Sequence, residues 1–120
     1  MDERERLREQ TARNLAGLEH EQRGELDEAV ALYEANLAAG FPGDWPYSRL
    51  VTYYGKRGQP TEVVRVLERA VAVFAALPRS HPDRGPRLGV FRQRLKEAQR
   101  ALQPPRRKRT QGSDASSTAV

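Results

Sequence analysis

One pattern that recurs thirty-four residues apart constrains this chain more than any other feature. Gly24 opens GELDEAVALYEANL and Gly58 opens GQPTEVVRVLERAV, and the two stretches stay in step: Ala29 stands against Val63, Glu34 against Glu68 and Leu37 against Val71. A fixed period of that length marks a helix-turn-helix repeat, in which each pair of helices buries its apolar side on the next.

Apolar spacing then predicts an all-α chain of about five helices. The first covers 2–22, with Asp2 as its cap, acidic residues in its first turn, and Leu7, Ala12, Leu15, Ala16 and Leu18 as its apolar side. Residues 1–9 are a charged N-terminal extension of that helix. Gly24 ends the turn in the left-handed region. The second helix runs from Leu26 to Ala39 with Leu26, Ala29, Val30, Tyr33 and Leu37 on one face, and Gly40 stops it. Asp44 caps the third, Pro46 fits its first turn, and Tyr47, Leu50, Val51 and Tyr54 point inward. Pro60 starts the fourth, which reaches Leu77 on the face Val63, Leu67, Ala70, Val71, Phe74 and Leu77.

Residues 78–86 connect to the last helix. A start at Ser80 would place Pro86 inside it, so a start at Asp83 is expected. Leu88, Phe91, Leu95, Ala98 and Leu102 form its stripe, while Arg87, Arg92, Arg94, Lys96 and Arg100 cover the rest. Residues 103–120 are expected to be a disordered basic tail, since RRKR and TQGSDASSTAV carry too little apolar surface to offset ordering.

Several classes of chemistry find no residues to carry them. The sequence has no cysteine, so disulfides and thiolate sites are excluded. Its two histidines, His20 and His81, have no carboxylate cluster at ligand spacing, and no metal or other cofactor is expected. No nucleophile elbow or phosphate-binding glycine loop occurs, which points away from an enzyme. MDERERLREQ is the reverse of a secretory signal, and no apolar run is long enough to span a bilayer; a cytoplasmic address without membrane insertion is the expectation. Charge is divided: residues 1–43 carry five basic and ten acidic side chains, whereas 44–120 carry sixteen basic and six acidic ones. Such a division can steer a charged partner or set two copies head to tail, and it is also what solvated helix surfaces produce.

With the register fixed, the chain resembles the tetratricopeptide repeat, a pair of antiparallel helices stacked into an α-solenoid. The resemblance covers two units, 10–43 and 44–77, with 78–102 as linker and capping helix. Ala16, Gly17, Gly24, Ala29, Tyr33 and Leu37 match signature positions in the first unit, and Tyr47, Leu50, Tyr54, Gly58, Leu67 and Ala70 do so in the second. Arg13, His20 and Val63 depart from the pattern. Small residues such as Gly17 and Ala29 let helices approach, while Tyr33 and Tyr54 fill the space between pairs.

The resemblance implies a non-catalytic adaptor or scaffold that binds a peptide or helix in the groove lined by its first and third helices. Carried across, that groove presents Thr11, Asn14, Leu18, Glu21 and Gln22 from one unit and Trp45, Ser48, Thr52 and Lys56 from the other. Trp45 falls off the buried stripe, either as a binding anchor or as a staple holding the 41–44 turn to the second helix. Two units fall short of the three normally needed for stability, so self-association or coupling to a larger partner is a further expectation. The alternative reading is nucleic-acid association, with Arg106, Arg107, Lys108 and Arg109 and the arginine face of the last helix on phosphates.

Overall fold

The computed structural model describes residues 2–103. Five helices follow one another: α1 (Glu3–Gln22), α2 (Leu26–Ala39), α3 (Trp45–Lys56), α4 (Pro60–Ala75) and α5 (Arg84–Leu102). Among the described residues there is no strand. Each helix packs on the next, and α2 also touches α4. The tail expected at 103–120 lies outside the described residues except for Gln103.

Local chemistry sets the helix ends. Asp2 accepts the Glu5 amide at 2.8 Å while the Glu5 carboxylate reaches back to the Asp2 amide, a reciprocal capping box. Gly24 and Gly58 sit at φ +76° and +66°, where a side chain would be strained. Both turns close alike: the Glu25 amide donates to the His20 carbonyl at 2.8 Å, and the Gln59 amide to the Tyr54 carbonyl at 2.9 Å. Donors and acceptors of the two closures stand at the same thirty-four-residue interval as the glycines.

Of three expected ends, only that of α4 moves. Asp44 precedes α3 but makes no capping bond, because its carboxylate instead accepts the Ser48 hydroxyl at 2.9 Å. Helix α4 stops at Ala75 rather than Leu77, although Leu77 still packs on the core. Helix α5 begins at Arg84 after Asp83, which puts Pro86 in the first turn, where a missing amide costs little.

The core lies between α2 and α5. Helix α4 supplies Val66, Leu67, Ala70, Val73 and Phe74, and the buried rings of Tyr47 and Phe91 close on Phe74 at centroid separations of 6.0 and 5.3 Å. Edge-on and tilted ring contacts of this kind add to the burial of apolar area. The Tyr47 hydroxyl donates to the Phe41 carbonyl at 2.8 Å, so its polar end is satisfied within the core.

Helix α1 departs most from expectation. Leu7, Ala12 and Leu15 are exposed and Ala16 and Leu18 half-buried, while Gln10 and Gly17 are the buried residues of the helix. The cause lies on α2. A Cβ on Gly17 would stand 2.6 Å from Tyr33 Cε1, so this glycine alone admits the ring. One turn on, buried Asn36 donates to the Gln10 carbonyl and to Asn14 Oδ1, both at 2.7 Å, and accepts from Arg13 at 3.0 Å. Gln10 in turn donates to the Ala39 carbonyl at 3.3 Å. Turning the leucines inward would strand Asn36 without partners.

Candidate functional site

The end of α1, the first half of α2 and the second half of α3 enclose a cleft of about 150 Å³. Its floor is apolar, from Leu26, Ala29 and Val30. Apolar spacing puts these residues on the inner face of α2, but only Ala29 is fully buried; Leu26 is 47% exposed and Val30 partly so.

One wall is a fixed polar cluster. The Tyr33 hydroxyl donates to the Glu21 carboxylate and accepts from Trp45 Nε1 at 3.1 Å. Arg49 grips the same carboxylate, with Nη2 2.5 Å from Oε1, and its guanidinium lies 5.6 Å from the Trp45 ring centroid. Burial and the adjacent Glu21 charge push the Tyr33 pKa up to about 12, so the phenol remains a donor. Burial also acts to raise the Glu21 pKa, but the hydrogen bonds from Arg49 and Tyr33 outweigh it and hold the group below the ordinary carboxylate value. The Glu21–Arg49 pair in this wall therefore stays ionised near neutral pH.

The opposite rim is free. Lys56 and Arg57 are exposed and form no ion pair among the described residues. Arg57 rests over the Tyr53 ring at 5.3 Å, and Tyr53 donates to Asp27 at 3.3 Å across the mouth. A second cluster fastens α2 to α3 and α4 beyond the cleft, with Glu34 receiving the Tyr54 hydroxyl and Arg65 Nη2, each at 2.6 Å.

Of the residues the sequence places in the groove, Glu21, Thr52 and Lys56 meet in this cleft. Trp45 joins them through Tyr33. It is tied to α2 by that bond and is 41% exposed. Asn14 is consumed by Asn36 within the α1–α2 joint, and Ser48 by Asp44. Leu18 lies half-buried on α1, with Thr11 and Gln22 exposed. Arg106, Arg107, Lys108 and Arg109 lie outside the described residues. Sequence reasoning missed Arg49 and Arg57; the signal available for Arg57 was its place beside Lys56 and four residues after Tyr53.

No protein-family model, curated protein or solved structure matches the chain. Among the described residues no helix is long and apolar enough to cross a membrane, and no group of three or more metal-ligating side chains occurs. His20 Nδ1 is 2.7 Å from Glu25, and His81 Nδ1 accepts the Asp83 amide at 3.2 Å. The arrangement offers an apolar seat with two unpaired cations above it, which suits a peptide side chain flanked by acceptors.

Proposed function

We propose that the chain is a non-catalytic interaction module that holds a segment of a protein partner in the cleft between α1, α2 and α3. The observation that carries this reading is the apolar floor of Leu26, Ala29 and Val30 beneath Lys56 and Arg57, two cations without a carboxylate. On this reading the chain is a tetratricopeptide-like pair of units, 10–43 and 44–77, with α5 covering the open end. The equivalent turn closures at Gly24 and Gly58 and the packing of each helix on the next support that arrangement.

Selection of displayed random peptides on the immobilised chain tests it. Ligands should emerge, and Lys56→Glu or Val30→Glu should weaken them tenfold or more, a change of about 1.4 kcal/mol. An empty selection, or ligands indifferent to both substitutions, would contradict the proposal.

The cations of α5 support a second reading. Arg92, Arg94, Lys96 and Arg100 are exposed and unpaired among the described residues, as phosphate contacts require. A mobility shift with duplex and single-stranded DNA or RNA at low salt tests it. No shift in the absence of added salt ends that reading.

A further inference from the structure

Helix α1 reverses the usual order of an amphipathic helix. Its face on α2 is built from Gln10, Arg13, Asn14 and Gly17, whereas Leu7 is 44% and Leu15 59% exposed. Leu7, Thr11, Leu15 and Leu18 follow at steps of four, four and three, one stripe spanning about 17 Å at 1.5 Å per residue. Helix α1 is first in the order and, among the described residues, packs chiefly on α2; Leu7 borders Pro42 and Leu77 and Leu18 is half-buried, but the outer side of the stripe, Leu15 above all, is left open.

We propose that it is covered by α1 of a second copy, lying antiparallel across a twofold axis. The charges beside the leucines choose this occupant. Arg8 and Glu19 are exposed, lie on the same flank of the stripe, and have no ion-pair partner among the described residues. An antiparallel overlap centred near Arg13 sets Leu7 against the second copy's Leu18 and Thr11 against its Leu15. The same overlap brings Arg8 level with the second copy's Glu19, and the twofold makes that pair twice. In a parallel overlap the shared flank of the two copies falls on opposite edges of the seam, so Arg8 and Glu19 would find no partner across it. The stripe is therefore self-complementary in one direction only.

Leu18 serves this seam, and the cleft beyond Glu21 remains open in each copy. Three leucines from each side make a small interface, so association should be concentration-dependent, with a midpoint on the order of micromolar.

Sedimentation of the full chain from about 1 to about 500 µM tests the proposal, a range that brackets such a midpoint. The mass should rise from the 13.6 kDa of one chain to twice that value. Leu15→Glu should abolish the rise. Arg8→Glu and Glu19→Arg should each weaken it about tenfold or more, because each then opposes like charges. An equimolar mixture of those two variants should restore it, since acid then faces base on both sides. Both residues are exposed, so neither change disturbs the fold. A single species of one-chain mass throughout, a dimer indifferent to Leu15→Glu, or a mixture no tighter than its components would each overturn the proposal.

Discussion

The joint between α1 and α2 and the packing of α3, α4 and α5 are both helix-on-helix contacts, yet they are held by different chemistry. In the second, Tyr47, Phe74 and Phe91 form a closed ring triad with no side-chain hydrogen bond among them. In the first, Asn36 joins Gln10, Arg13 and Asn14, Tyr33 joins Glu21, and one glycine sets the approach. Burial of apolar area is insensitive to small displacements, whereas a hydrogen-bonded joint fixes register and fails when one member is lost. The aromatic half thus holds the chain together, and the polar half fixes how α1 meets the cleft.

Substitutions that attack each half separately sharpen this contrast. Phe74→Ala removes the centre of the triad and should lower stability by about 3–5 kcal/mol, with loss of all helices together in a urea titration. Asn36→Ala leaves the Gln10 carbonyl and Asn14 Oδ1 without the amide they share, and Arg13 with Glu9 alone, and a loss of about 1–3 kcal/mol is expected. That loss should come with selective exposure of α1. Gly17→Ala should also destabilise, by about 1–2 kcal/mol, despite the better helix propensity of alanine, because Tyr33 must move to admit the methyl group. Emission from Trp45, the chain's single tryptophan, reports that movement through its bond to Tyr33. Arg65→Ala cuts half-buried ion pairs with Glu34 and Glu62 and should lower stability by about 1 kcal/mol.

The same joint predicts two flanks in pH. Tyr33 titrates higher in the folded chain than in the unfolded one. Its contribution is therefore complete below about pH 10, the unfolded value, and is lost as pH rises through about 12. Glu21 is shifted the other way, so its contribution is present above the ordinary carboxylate pKa and is lost as pH falls through its lowered folded value. Helix content by circular dichroism should fall on both flanks, and Tyr33→Phe should reduce the alkaline one, to which Tyr47 and Tyr54, also raised by burial, contribute as well.

Punctuation in the sequence located the helices well, because Gly24, Gly40, Pro46, Pro60 and the 78–86 connection act locally. Helix α2 starts and ends where its apolar spacing and Gly40 place it. The orientation of α1 was not legible. Periodicity assumes that leucines turn inward, and here that preference is overridden by Tyr33 and Asn36, whose partners are remote in sequence. Asn36 reads as an ordinary polar helix residue until Gln10 and Asn14 are seen beside it. The cleft was legible in part: the resemblance places Thr52, Lys56 and Trp45 on a groove, with Trp45 also off the buried stripe by its spacing, but Leu26 and Val30 read as core.

Native-state hydrogen exchange, followed by mass spectrometry at a dilution where the chain is monomeric, tests the division between the two halves most directly. Amides in the middle of α1 should exchange through a local opening of lower free energy than amides of α4 around Val66 to Phe74, which should exchange only on global unfolding. Equal protection of α1 and α4, with both following the global transition in denaturant, would contradict the account.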